Sequence, residues 1–301
     1  KVDGLPSSVC EHLVRLADGN PLHLEEAIKL LLRKGLIAQS LLDDRWHLNP
    51  VEIESFEFPE SIEGIVDAQL ECLSERPLTV GERGAVVGLS FWQTWLTEMG
   101  REKTSDDGGD TPSKNDEDIQ PQLTTLVRNG FITAKLFSQM DGDREFEFRH
   151  PIFREIFLKR LSKQTRKRYH QFVHHWYDSR RQDRRTEYLD RLAAHAEGGF
   201  SFKKAFEHWR ELAIAAIHLC AYNCAELYVK KAMNLLSSNR LKLAGGLKLE
   251  YKFQLYETLA ELYRLQGLDQ EWRSTIETLR RIAEQSENRE LDKRVEDLAS
   301  E

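Results

Sequence analysis

The chain is 301 residues long, 40% hydrophobic and 31% charged, with a formal net charge of -7. That apolar content supports two or three domains with real cores under a solvated surface. The negative balance argues against general nucleic-acid binding, which needs clustered Lys and Arg, and no stretch approaches the ~20 apolar residues of a membrane helix.

Four scattered cysteines, Cys10, Cys72, Cys220 and Cys224, fit buried thiols in a reducing cytoplasm better than a disulfide frame. Cys220 and Cys224 lie four apart but lack a His or Cys partner at metal spacing, so no metal is expected. The chain begins at Lys1 without a charged-then-apolar leader and reads as an excised part of a longer protein.

Residues 1–75 read as helices. Pro6-Ser7-Ser8 with Glu11 resembles a capped helix start, and Val9, Leu13, Val14 and Leu16 follow before a stop at Gly19. A second helix begins at once, because Asn20 is a good cap and Pro21 suits the first helical position. Leu22, Leu24, Ala27, Ile28, Leu31 and Leu32 keep helical spacing up to Gly35. Leu36 to Leu48 suits a short hairpin turning at Asp43-Asp44, and Pro59-Glu60-Ser61 opens a third helix.

Residues 76–162 change character. Glu82 to Leu89 and Phe91 to Met99 read as two short helices joined near Gly88-Leu89-Ser90. The stretch 101–118 holds no aliphatic or aromatic residue and reads as a disordered insertion. A helix resumes around Ile119 and stops at Asn129-Gly130. Phe131 to Phe137 and the alternating Arg144 to Arg149 then predict two strands around a turn at Met140-Asp141-Gly142-Asp143. Pro151 starts another helix. Three helices, a two-stranded wing and a following helix describe a winged-helix domain.

From 163 to 301 only helices are predicted. Phe172, Val173, Trp176 and Tyr177 form one apolar stripe. Trp209-x-x-Leu212-Ala213, with Ala225 and Ala232, matches the tetratricopeptide pattern, in which a bulky and a small residue let antiparallel helices approach closely. A partial copy, Tyr256-x-x-Leu259-Ala260-x-x-Tyr263 with Gly267, starts 47 residues later, and the excess falls in a long loop from Ser237 to Gly246. The predicted fold is therefore mainly α: a helical N-terminal part, a winged helix with a small β-wing, and tetratricopeptide-like helices.

Gly19-Asn20-Pro21-Leu22-x-Leu24-Glu25-Glu26 resembles the helical lid of STAND-type ATPases, the signalling branch of the AAA+ class. The likeness continues through Phe58-Pro59-Glu60-Ser61-Ile62, Ala85 to Phe91, Phe148 to Phe157 and the Arg166 to His170 stretch. The order of lid, winged helix and tetratricopeptide helices is similar to that of regulators fused to class III adenylyl cyclases, including the soluble type. The resemblance spans nearly all of the chain except 101–118. It implies ATP or ADP bound mainly by an upstream nucleotide-binding domain that this chain lacks, with no phosphate loop among the 301 residues. It further implies that Pro21 packs on the adenine, that Gly19 and Asn20 shape the turn, and that His150 reaches toward the phosphates. Pro151 departs from the Asp that related switches often place after that histidine.

Simpler readings stand beside these. A glycine exit, an Asn cap and a first-turn proline serve any tight helix junction. His150 also suits capping or packing at a strand-to-helix junction. His170, His174 and His175, like Arg166-Lys167-Arg168 and Arg180-Arg181, read as solvated helix faces. No pair of carboxylates is placed for acid-base work, and no nucleophile arrangement is found, so no catalytic residue is expected. Three functions fit: a noncatalytic regulator of a nucleotide-switched adenylyl cyclase or similar output that offers its helical repeats to a protein partner, a scaffold with a decayed nucleotide site, and a transcription regulator. Arg128 as the one strong base reader of residues 119–130, with Glu145 and Glu147 on the wing, disfavours the third.

Overall fold

In a computed structural model of the chain, the described residues are 7–39, 46–48, 52–53, 55–106, 118–140, 142–180, 187–238, 240–241, 245–286 and 288–300. They are mainly α-helical and divide into two compact units, 1–163 and 164–301. No helix among them is long and apolar enough to cross a membrane.

The first unit opens with α1 (Ser7–Ala17) and α2 (Pro21–Arg33), then a hairpin of β1 (Ile37–Gln39) and β2 (Trp46–Leu48). The predicted turn at Asp43-Asp44 lies outside the described residues. Next comes α3 (Ile62–Leu70), capped by Ser61, whose hydroxyl accepts from Gly64 N at 3.1 Å. Val9, Leu13, Ala27, Leu30, Leu31, Ile37 and Ile65 form the core of this part.

The rest of the unit runs α4 (Glu75–Val87), β3 (Ser90–Trp92), α5 (Gln93–Asp106), α6 (Gln120–Arg128), β4 (Ile132–Ala134), β5 (Glu145–Phe148) and α7 (Pro151–Arg160). Three expectations need correction. The sheet has three strands, ordered β3-β5-β4, because Phe91 pairs with Phe146 instead of starting a helix. The run Ser90-Phe91-Trp92 is too short to show a period, and its two aromatics are fully buried. The helix after it continues to Asp106, into the stretch expected to be disordered; residues 107–117 lie outside the described residues. The strand expected over 131–137 ends at Ala134, since Leu136 and Phe137 face solvent.

Aromatic rings fill this core. Phe91 stands 5.4 Å from Phe148, and Phe131 meets Phe153 and Phe157 edge-on. α4 approaches these rings through Gly81 and Gly84. A Cβ at Gly81 would lie 2.4 Å from the buried Phe157 ring, and one at Gly84 would lie 3.0 Å from Phe91.

The second unit is α8 (Lys163–Arg180), α9 (Leu189–Gly198), α10 (Phe202–His218), α11 (Tyr222–Ser237), α12 (Gly245–Gln266), α13 (Asp269–Ser286) and α14 (Arg289–Ser300). Sequential helices pack as neighbours from α9 onward. Trp209, Ala213, Ala225 and Ala232 are all buried, and Tyr228 stacks on Trp209 at 5.9 Å. In the second copy Ala260 is buried and Gly267 ends α12 at φ +72°. Part of the long 237–246 loop lies outside the described residues; Leu241 within it is buried.

The i, i+4 histidines of α8 do not lie on a solvated face. His170 Nδ1 meets His195 Nδ1 at 2.9 Å, and the buried His174 Nε2 meets the buried His208 Nε2 at 3.2 Å. Sequence spacing could not show this, because each partner sits on a different helix. The four cysteines are exposed, not buried as expected. Cys10 and Cys224 fall on helix positions turned from the core, Cys72 lies in the turn after α3, and Cys220 holds the left-handed exit of α10 at φ +56°.

Gly81→Ala should destabilise the protein by roughly 1–3 kcal/mol, because a closely packed ring must move; chemical denaturation would show the loss, and unchanged stability would refute the close approach. Each histidine contact needs one N–H and one bare nitrogen, so His174→Leu, which removes one member of the buried His174–His208 contact, should destabilise the protein by roughly 1–3 kcal/mol; thermal denaturation of the variant would show the loss, and an unchanged Tm would refute the contact.

Candidate functional site

Asn20 and Pro21 sit where the sequence places them. Asp18 and Gly19 turn through positive φ (+40° and +76°), which a short polar residue and a glycine tolerate best. Asn20 Oδ1 accepts from Leu22 N at 3.0 Å, and Pro21 occupies the first helical turn, where its missing N–H costs nothing. His23 Nδ1 lies 3.1 Å from Leu16 O and ties α2 back to α1. Gly19, Asn20 and Pro21 are exposed.

His150 caps α7. Its Nδ1 accepts from Ile152 N at 3.3 Å, and its ring leans on Phe153. An acceptor Nδ1 leaves the neutral ring's proton on Nε2, so the exposed imidazole offers one N–H donor outward. Pro151 is the first residue of that helix, a role the departure from Asp permits.

A polar network brings these two ends of the unit toward each other. Glu25, one turn into α2 from Pro21, accepts from Arg149 Nη2 at 2.6 Å, and Arg149 precedes His150. Lys29 Nζ reaches Glu25 at 2.9 Å and the buried Glu26 at 2.7 Å. Lys29 first, with Arg149, holds the Glu25 carboxyl below its usual range. Buried Gln69 donates to Glu26 O at 2.7 Å and to Glu26 Oε2 at 3.0 Å. Arg33 donates to Gln69 Oε1 and to the Asn129 carbonyl that ends α6, with its guanidinium 4.7 Å from the Phe131 ring centre. Burial pushes the Arg33 guanidinium down, opposed by Glu26.

Above this network lies a cleft of ≈ 470 Å³ lined by Lys29, Leu32, Arg33, Val127, Arg128, Asn129, Gly130 and Arg149. A Cβ on Gly130 would sit 3.3 Å from Arg149 Nη1 and 3.5 Å from Lys29 Nζ, so two cations converge over its backbone. The four cations of the lining are partly compensated by Glu25 and Glu26. None of Gly19, Asn20, Pro21 and His150 lines this cleft. The structure thus brings the α2 helix and the Arg149–His150 junction together without placing Pro21 and His150 in one described pocket. Sequence reasoning missed the roles of Arg33, Gln69 and Glu26, which meet partners 36, 43 and 96 residues away; a charged residue inside an apolar helix run was the one available signal. Among the described residues no group of three or more His, Cys, Asp or Glu gathers as a metal site.

Arg33→Met should destabilise the first unit by about 2–4 kcal/mol, since it takes the donor from the buried Gln69 Oε1 and from the Asn129 carbonyl together. Arg149→Ala, which breaks an exposed pair, should cost no more than about 1 kcal/mol. Because the Glu25 carboxyl is held low, that smaller contribution is present at neutral pH and fades as pH falls below its ordinary range. Urea unfolding of both variants checks the contrast; equal losses would overturn it.

Comparison with known family models, curated proteins and solved structures returns no match.

Proposed function

We propose that this chain is the regulatory, noncatalytic part of a cytoplasmic STAND-type signalling ATPase. In this reading residues 1–163 combine a helical lid and a winged-helix domain that close over ADP or ATP held by a nucleotide-binding domain elsewhere in the protein. The tetratricopeptide-like helices beyond 163 offer a protein partner a surface, and the output is an adenylyl cyclase or similar domain.

One observation carries the reading. The helix that starts at Asn20-Pro21 is ion-paired through Glu25 to Arg149, the neighbour of His150. The residues that the resemblance assigns to adenine and phosphate recognition therefore belong to elements that touch, and all four are exposed for a ligand to cover. The cap on His150 leaves an outward N–H of the kind a phosphate oxygen accepts. The order helix, strand, helix, helix, strand, strand, with β5 between β3 and β4, supports the winged helix. Buried Trp209, Ala213, Ala225 and Ala232 on adjacent antiparallel helices support the repeat reading. A contact between lid and winged helix is the kind of two-state element that a few kcal/mol of differential nucleotide affinity can bias.

The test is thermal protection of the full-length protein by ADP and by ATP. At a hundred times Kd a ligand that binds only the folded state adds about 2.7 kcal/mol, so a clear rise in Tm is expected with one or both nucleotides. Pro21→Ala should abolish the rise, and His150→Ala should reduce it selectively for one nucleotide. No rise at millimolar nucleotide, or a rise indifferent to Pro21→Ala, would overturn the reading.

A further inference from the structure

Leu136 is 95% exposed and Phe137 87% exposed, the two barest large apolar side chains among the described residues, and they are adjacent. Single exposed apolar residues need no explanation. A neighbouring pair in the bend after β4 needs one where its flanks are fixed, and here the residues on both sides are held. Lys135 N donates to Glu145 O at 2.9 Å. Ser138 Oγ accepts from Trp92 Nε1 and from Met140 N, both at 3.1 Å. Glu145 is buried, and its carboxylate accepts from Lys135 Nζ at 2.7 Å and from Gln139 N at 2.8 Å. Met140 is buried as well. A buried carboxylate is costly unless its hydrogen bonds are complete, and here its bonds all go to shaping the turn that pushes Leu136 and Phe137 outward.

Beside the pair lies a second cleft of ≈ 470 Å³ between α6 and the sheet. Val127, Ala134, Leu136 and Phe146 supply its apolar lining. Arg128 and Arg144 also line it, and neither has a carboxylate partner among the described residues. The carboxylates of the lining are already engaged: Glu145 as above, and Asp143 Oδ1 with Thr94 N at 3.3 Å. Lys135 is matched by Glu145 and, at 3.5 Å, by Glu147. The surface is thus an apolar knob and trough with two unmatched guanidinium groups.

We propose that this wing face docks a short acidic amphipathic segment of a protein partner, with Leu136 and Phe137 as apolar anchors and Arg128 and Arg144 pairing with its carboxylates. Charge complementarity selects this occupant. A second copy of the same face would set Arg128 and Arg144 against their own like charges across a two-fold axis. A nucleic acid would meet two bare apolar side chains and the half-exposed Glu147 of β5. An apolar segment flanked by Asp or Glu satisfies both the trough and the cations, the usual division between anchor energy and electrostatic selection at peptide grooves. The surface does not include Asn20, Pro21 or His150; it shares Val127 and Arg128 with the first cleft, so the variants that test it are placed at Leu136, Phe137 and Arg144.

The probe is a fluorescein-labelled synthetic 15-residue peptide alternating Leu and Phe with Glu and Asp. A matched peptide carries Lys in place of every acid, and a 20-base-pair DNA duplex serves as the third arm. Binding to the whole 301-residue chain is followed by fluorescence polarisation. The acidic peptide should bind at least about tenfold more tightly than the Lys peptide and weaken with salt. Leu136→Ser/Phe137→Ser and, separately, Arg144→Glu should each reduce its affinity about tenfold or more, with thermal melts unchanged because these side chains support nothing beneath them. Equal binding of the two peptides would overturn the proposal. So would acidic-peptide binding that survives both variants, tighter binding of the duplex lost in the same variants, or concentration-dependent dimerisation that Leu136→Ser/Phe137→Ser abolishes.

Discussion

The first unit depends on how one guanidinium is satisfied. Arg33 ends α2 among apolar neighbours, and it is held by Gln69 of α3, by the last carbonyl of α6 and by the face of Phe131. Those contacts join the N-terminal helices to the three-stranded sheet, because no single element supplies more than one of them. Gln69 relays the tie to buried Glu26, Glu26 to Lys29, Lys29 to Glu25, and Glu25 to Arg149. A charge partly withdrawn from water needs such partners, so the network fixes the register of α2 against α3 and α6. The exposed end of the same chain of contacts, Glu25 with Arg149, is weaker by its solvation. A hinge between these elements would give way there first.

The second unit solves a different problem. Its helices carry no long-range strand pairing, so their spacing rests on what fits between them. Alanines at 213, 225 and 232 allow close approach around Trp209, and Lys231 covers the ring at 4.0 Å. Arg294 grips Glu257 through Nε and Nη2 and lies 5.1 Å from the Phe253 ring centre, fastening α14 to α12. At the other end two histidine pairs join α8 to α9 and α10. Stacked helices of this kind share their stability between neighbours.

Local chemistry was legible in the sequence wherever it was complete within a few residues. The Asn20 cap, Pro21 at the first turn, the Ser61 cap, the glycine ends at Gly35 and Gly130, the alternation of β5 and the repeat alanines each contain their own cause. Helical content followed from period 3.6 for the same reason. Three-residue β3 was not legible, since Ser90-Phe91-Trp92 is too short to carry a period and is a strand only because β5 lies beside it. The shortened β4 and the outward turn after it depend on Glu145, ten residues further on. The helical reading of Phe91 onward failed by two residues, and the disordered reading of 101–118 failed at its start, where α5 runs on to Asp106.

Caps, turns and the apolar faces of the longer helices could be read from the chain alone, because they follow from side-chain volume, branching and hydrogen-bonding groups along a short stretch; the burial of single cysteines and histidines could not. Only the tertiary structure decided that Arg33 meets Gln69, that Glu25 meets Arg149, that histidines four apart on α8 pair with histidines on two other helices, and that Leu136 and Phe137 are held out to solvent. Those outcomes join residues from 6 to 124 positions apart, and a linear pattern holds no information on which distant donor will reach which acceptor once the backbone has closed around them.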